Sequence, residues 1–212
     1  GTSALATGAL TLLNGQLASA FSSFYLQDYT NGNFRGALPV MQGLTTMATS
    51  QFVVLVDVSK KYGYEVTDAT GHRYPVQLLR RETRDYSQFG IEKLLVTELH
   101  IDANYSLKIF DVNSGDIIDE RFFKSLNTNL KKPKVMIASC MKDGYATERE
   151  QMWDHVATTQ PDIVFLIGDT CYADNGNDGS DSGYWRRYVE TRSLISHFRQ
   201  KNLVPTLATW DD

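Results

Sequence analysis

The chain has 212 residues, of which 42% are hydrophobic and 22% are charged, and its formal net charge at pH 7 is −4. This is the composition of a globular protein with enough apolar side chains to bury a core. The acidic balance and the lack of a basic stripe argue against specific nucleic-acid binding, because phosphate groups are neutralised by Lys and Arg. No apolar run is long enough to cross a bilayer, so the sequence predicts no transmembrane segment.

The first twenty residues are small, apolar and uncharged, and they close with Ala18-Ser19-Ala20. This pattern is typical of the apolar region of an export signal followed by its cleavage site. We therefore predict that residues 1–35 are an export-signal remnant or an amino-terminal extension, and that the protein is periplasmic or extracellular. The alternative is an ordinary apolar helix that packs on the body of the protein.

Residues 36–130 are predicted to form a β-sandwich. Four runs, 52–58, 74–79, 93–99 and 105–110, alternate between apolar and polar residues as strands do. The turn residues Ser114 and Gly115 predict that 105–112 pairs with 117–123 as a hairpin. Short strands separated by such turns are typical of an immunoglobulin-like or fibronectin-like sandwich, in which Tyr105 would be the corner tyrosine.

Residues 131–212 follow a polar linker and change to an α/β pattern. The apolar runs 134–138 and 162–167 flank a helix that is predicted from the capping box Thr147 to Glu150. A strand, a helix and a strand in this order predict two parallel strands with a right-handed crossover. A second helix, about residues 184–201, leads to a third strand at 203–209.

Residues with metal-binding side chains follow each of these three strands. Cys140 follows the first strand, Asp169 and then Tyr172 follow the second, and Asp211-Asp212 follow the third. Ligands of open parallel sheets collect beyond the carboxyl ends of the strands, so we expect these side chains to converge. A thiolate, a phenolate and carboxylates suit a Lewis-acidic metal ion, and a tyrosinate ligand implies a hard trivalent ion such as ferric iron. The predicted metal ligands are therefore Cys140, Asp169, Tyr172, Asp211 and Asp212.

For the other residues with reactive or charged side chains, we favour structural interpretations. Cys171 is predicted to be structural, although two cysteines in an exported protein also suit a disulfide. Arg186 and Arg187 are predicted to lie on a solvated helix face rather than to reach a substrate phosphate. None of the four histidines follows a strand, so none is predicted as a ligand and no general acid is identified. The Asp- and Gly-rich run 174–183 is predicted to be a rim loop, because it lacks the terminal acid of an EF-hand.

The order of four motifs resembles one enzyme family. Ala-Ser-Cys ending at Cys140, Gly-Asp-Thr-Cys-Tyr-Ala-Asp at 168–174, Tyr-Trp-Arg-Arg-Tyr at 184–188 and Thr-Trp-Asp-Asp at 209–212 resemble PhoD-type alkaline phosphatases and phosphodiesterases. These enzymes are a branch of the calcineurin-like metallophosphoesterases. The resemblance covers residues 36–212 and implies a β-sandwich followed by the first half of an α/β metallophosphoesterase domain.

The same resemblance implies a chemistry. It implies that Cys140, Asp169 and Tyr172 bind ferric iron, that Asp169 bridges to calcium, and that Asp211-Asp212 supply further acids. It also implies an exported enzyme, delivered by the twin-arginine route, that hydrolyses small phosphate esters or phosphodiesters with a metal-activated hydroxide.

The chain departs from the family pattern at its end. The WDDH motif of the family stops at Asp212, and the later histidine and asparagine ligands are missing with the second half of the sheet. We therefore expect the chain to be inactive alone. The alternative function is a non-catalytic exported binding module with a vestigial α/β part.

Overall fold

The computed structural model describes residues 38–142, 146–174 and 179–209, with the backbone alone at 146–151 and Ala157. The predicted export segment 1–35, Asp211 and Asp212 lie outside the described residues. The described chain contains antiparallel β-sheets, one small parallel sheet and few helices. Among the described residues, no helix combines the length and apolar character that crossing a bilayer requires.

The structure has the following described elements in chain order. The strands are β1 (Val40–Thr45), β2 (Ser50–Asp57), β3 (Tyr62–Asp68), β4 (Arg73–Tyr74), β5 (Val76–Glu82), β6 (Phe89–Val96), β7 (Asn104–Asp111), β8 (Ile117–Lys124), β9 (Val135–Ala138), β10 (Ile163–Ile167) and β11 (Thr206–Thr209). The helices are α1 (Ala146–Thr159), α2 (Asp181–Leu194) and a 3-10 turn at Ser196–Arg199.

The amino-terminal strands form the predicted β-sandwich. One sheet has the order β1-β2-β6-β5 and the other has the order β4-β3-β7-β8, with antiparallel pairs throughout. Alternate residues of β2, β6 and β7 point into a shared apolar core, as the period of two in the sequence predicts. The β7–β8 hairpin is confirmed, and Gly115 at its turn has a φ of 79°, which favours glycine.

Tyr105 has the geometry of the predicted corner tyrosine. Its side chain is buried, and its hydroxyl oxygen accepts a hydrogen bond of 2.7 Å from the backbone N–H of His100. A hydroxyl that bonds to the backbone a few residues upstream is the feature that defines this corner. The bond fixes the turn between the two sheets.

Two strands of the sandwich, β1 and β3, are missing from the sequence prediction. In β1 the polar residue Gln42 occupies a fully buried position, where its amide donates to the carbonyl of Lys124 at 2.8 Å. In β3 Gly63 lies under the ring of Phe110, and an added Cβ would come within 2.3 Å of that ring. A buried amide and a glycine both interrupt the apolar alternation from which strands are predicted.

The carboxyl-terminal part contains a parallel sheet of order β11-β10-β9. The strand–helix–strand unit and its parallel pairing are as predicted, while the second predicted helix ends earlier, at Leu194, before the 3-10 turn. Helix α1 buries Trp153 and Val156 against this sheet but leaves Met152 exposed. This arrangement is a small α/β unit, and its membership of the metallophosphoesterase fold stays a prediction.

The two faces of the parallel sheet differ. One face packs on α1 and the 3-10 turn through Val164, Leu166 and Phe198. The other face is apolar and exposed, and it carries Val135, Ile137, Ile167 and Leu207. Parallel sheets in proteins are usually covered on both faces, so this open face is an unusual apolar surface.

The sandwich and the parallel unit share a packed joint. The N–H of Phe122 in β8 donates to the carbonyl of Lys201 at 2.9 Å, and the N–H of Leu203 donates back to Phe122 at 2.7 Å. Leu203 belongs to the sandwich core, and Met41 of β1 packs on the apolar cluster of the parallel unit. Each unit therefore completes its core with residues of the other.

Candidate metal centre

The loops that follow β9 and β10 hold the candidate residues in strained backbone conformations. Cys140 and Asp169 have φ angles of 59° and 46°, and Gly168 has a φ of 113°. Positive φ costs a residue other than glycine on the order of 1 kcal/mol, and such strain is concentrated at functional sites. The N–H of Met141 donates to the carbonyl of Asp169 at 2.8 Å, which ties the two loops together.

One carboxylate oxygen joins three of the five predicted ligands. Oδ2 of Asp169 accepts a hydrogen bond of 2.7 Å from the hydroxyl of Tyr172, and the Sγ of Cys140 lies 3.5 Å from the same oxygen. The structure thus brings Cys140, Asp169 and Tyr172 together at the carboxyl ends of adjacent parallel strands. The other two predicted ligands, Asp211 and Asp212, lie outside the described residues.

The electrostatics of the trio keep the phenol protonated. Hydrogen bonding to Cys140 and Asp169, with burial and the charge of Asp169, raises the pKa of Tyr172 above its ordinary value. Without a cation, the phenol therefore acts as a donor to the carboxylate. A metal ion at the same point would take the place of that proton and would favour the phenolate instead.

The donor set fits part of a metal shell. A thiol sulfur, a carboxylate oxygen and a phenol oxygen lie close together, and Cys140 is exposed while Asp169 and Tyr172 are half-buried. In the part of the chain that the structure describes, no group of three or more His, Cys, Asp or Glu side chains is placed to hold a metal. The trio contains two such side chains, because its third donor is a tyrosine.

Arg187 supports this region in a way that the sequence interpretation did not predict. Its Nε donates to the carbonyl of Tyr172 at 3.3 Å, its Nη1 pairs with Glu190, and its side chain is 12% exposed. The prediction of a solvated helix face is therefore wrong for Arg187, whereas it holds for Arg186, which is 45% exposed. The sequence signal that could have predicted this ion pair is the spacing of Arg187 and Glu190, which are three residues apart on α2.

The helix that carries Arg187 is fixed at its start. The hydroxyl oxygen of Ser180 caps α2 by accepting from the N–H of Gly183 at 3.1 Å. Lys142 adds a second cation to the region, with its Nζ 5.9 Å from the centre of the Tyr172 ring. The loop after β10 is therefore contacted by a half-buried arginine and a lysine.

The remaining sequence candidates have structural contacts. Both cysteines are free thiols, and the Sγ of Cys171 lies 3.6 Å from the hydroxyl oxygen of Thr191. The side chains of His72, His100 and His155 are exposed. His197 packs on Trp153 and Phe198, and its Nε2 lies 3.1 Å from the hydroxyl oxygen of Thr206.

Comparison with known proteins does not place the chain in a family. No protein-family model matches it, and no curated protein is significantly similar to it. Among solved structures, the chain is distantly similar to the crystal structure of amylomaltase from Corynebacterium glutamicum, with 11% identity and a TM-score of 0.33. The similarity covers 81% of this chain and 25% of the other, so the chain spans about a quarter of that protein's length.

Proposed function

We propose that Cys140, Asp169 and Tyr172 form part of a ferric site in an exported phosphoesterase that acts on phosphate monoesters or diesters. The observation that carries the proposal is the meeting of the Tyr172 hydroxyl and the Cys140 thiol at one oxygen of Asp169. That meeting lies beyond the carboxyl ends of two parallel strands, where open α/β sheets bind their ligands. The motif resemblance supplies the reaction class, and it implies that Asp169 would also help to hold calcium as a second metal.

The side chains of the trio have distinct proposed roles. Asp169 is the central ligand, because its Oδ2 faces both other donors. Tyr172 gives up its phenolic proton when the site is loaded, and Cys140 gives up its thiol proton. When bound, the metal supplies Lewis acidity toward a phosphoryl oxygen and a hydroxide nucleophile.

Two further features position the trio. Arg187 holds the carbonyl of Tyr172 and thereby fixes the loop from which the phenol projects. The positive φ of Cys140 and of Asp169 turns both side chains toward one point, at a cost in backbone energy that metal binding offsets. These contacts act through the ligands rather than on a substrate.

The first experiment is metal loading of the chain followed by visible spectroscopy and elemental analysis. We expect bound iron and a broad tyrosinate-to-iron charge-transfer band. The band should disappear in Tyr172→Phe and persist in the matched control Tyr184→Phe, whose ring is exposed on α2. Hydrolysis of p-nitrophenyl phosphate and bis-p-nitrophenyl phosphate by the metal-loaded longest natural form of the protein tests the reaction class.

The binding-module alternative predicts a different result. A binding module needs no metal, so its thiol and phenol would leave the protein colourless and free of bound iron under the same loading. A colourless chain would overturn the ferric site. An iron band that survives Tyr172→Phe would place the metal elsewhere and would overturn the assignment of the ligands.

A further inference from the structure

A small pocket lies between the sandwich and α2, with a volume of about 70 Å³. The sandwich contributes Val53, Leu55 and Ile91 to its wall, and α2 contributes Tyr188 and Val189. These side chains are apolar or aromatic. Arg192 is the charged residue among those that line the pocket, and its guanidinium group lies among apolar and aromatic side chains.

Arg192 is a half-buried cation without a carboxylate partner among the described residues. Its Nη1 is buried and has no hydrogen-bond partner. The guanidinium carbon lies 4.6 Å from the centre of the Tyr188 ring and 5.1 Å from that of the Phe198 ring. The titratable groups that act on it are the Tyr188 hydroxyl and the Cys171 thiol. By contrast, Arg121 and Arg187 each pair with a carboxylate.

Burying part of a guanidinium group without an anion is costly. Removing a cation from water costs several kcal/mol unless an anion or hydrogen-bond acceptors compensate for it. The two aromatic rings and the position in the last turn of α2 compensate for part of that cost. The charge that remains is complementary to an anion inside the pocket.

We propose that this pocket binds the carboxylate group of a small apolar monocarboxylic acid, with Arg192 as its counter-ion. One cation and apolar walls suit a ligand with one negative charge and a hydrocarbon body. Phosphate and sulfate fit less well, because their additional oxygens and charge would face mainly apolar walls. The inference is independent of the proposed metal centre.

The size of the pocket limits the ligand. Its volume is about twice that of one water molecule in the liquid and about half that of a cavity that holds benzene. A carboxylate with a few methylene groups fills such a space. Butyrate is therefore the probe for the first experiment, and its neutral analogue butyramide tests the requirement for charge.

The test is isothermal titration of the chain with butyrate at constant ionic strength. We expect saturable binding that weakens at least about tenfold in Arg192→Met, since a hydrogen bond to a charged group contributes that much. Arg186→Met, on the exposed side of α2, is the matched control and should bind like the wild type. Butyramide and phosphate should bind at least about tenfold more weakly than butyrate.

A second variant protects the test against misfolding of Arg192→Met. Val53→Phe fills the pocket from the sandwich side and leaves the arginine in place, so it should also abolish butyrate binding while circular dichroism reports a folded protein. Absence of saturable butyrate binding to the wild type overturns the proposal. Binding that survives both variants, or equal binding of phosphate or butyramide, overturns it as well.

Discussion

Arg121 is the side chain whose removal should damage the fold most. Its guanidinium donates to both carboxylate oxygens of Asp119, at 2.9 to 3.1 Å, to the carbonyl of Gln200 at 2.8 Å and to the carbonyl of Leu38. Both partners of the ion pair have an exposed side-chain fraction of 0%. Arg121→Met would leave a buried carboxylate whose remaining bond is the one from the N–H of Leu38, at 3.1 Å.

The expected loss follows from the uncompensated charge. Removing one partner of a buried ion pair costs about 3–5 kcal/mol. Since a domain is stable by about 5–15 kcal/mol, this loss is a large share of the total free energy of unfolding. The double variant Arg121→Met with Asp119→Leu removes both charges and should recover more than about 1 kcal/mol of it, because no buried ion remains.

Urea denaturation followed by circular dichroism measures these free energies. Arg73→Met is the matched control, because Arg73 pairs with Glu65 at 2.8 Å while its own side chain is 77% exposed. That exposed pair should contribute less than about 1 kcal/mol. Equal small losses for Arg121→Met and Arg73→Met would refute the reasoning, and so would a double variant less stable than Arg121→Met.

Three further predictions concern stability and surface properties. Burial lowers the pKa of His197 from 6.5 to about 4, so the unfolded chain takes up the proton first as the pH falls. Stability should therefore decrease by about 1–2 kcal/mol between pH 7 and pH 5, a value reduced for the partial exposure of the residue. His197→Gln should flatten this slope in urea titrations and exposed His155→Gln should not; equal slopes would contradict the assignment. Tyr105→Phe leaves the N–H of His100 without its acceptor and should lower the free energy of unfolding by about 1 kcal/mol, and an unchanged denaturation midpoint would count against the corner. Ile137→Lys, on the open face of the parallel sheet, should change stability by less than about 0.5 kcal/mol while reducing hydrophobic-dye binding; dye binding like that of the wild type would show that the face is covered.

Local patterns were sufficient to predict the elements that depend on neighbouring residues. The β7–β8 hairpin followed from two alternating runs and the turn at Gly115, and the corner followed from the distance of Tyr105 from the preceding strand. The parallel pairing of β9 and β10 followed from the helix between them, because neighbouring parallel strands are joined by a crossover connection that is usually a helix. These predictions need no knowledge of distant contacts.

The missing elements depend on contacts between distant residues. Gln42 is acceptable inside β1 because its amide meets the carbonyl of Lys124, which is 82 residues away in the sequence. Arg187 is half-buried, and the loop at Tyr172 offers its carbonyl to it, a contact that no local pattern shows. Within the candidate metal centre, strand ends predicted the meeting of Cys140 with Asp169, whereas the supporting arginine needed the structure.

The joint between the two units also determines the order in which the chain can fold during synthesis. Arg121 donates to the carbonyl of Gln200, which the ribosome adds 79 residues later. The N–H of Phe122 likewise donates to the carbonyl of Lys201, which is also added 79 residues later. Until then β8 is paired with β7 on one side only, its outer edge is open, and Arg121 lacks the carbonyl of Gln200. Open strand edges favour aggregation. The emerging sandwich is therefore an incomplete intermediate, and a folding chaperone that binds exposed strand edges would act on it in that interval.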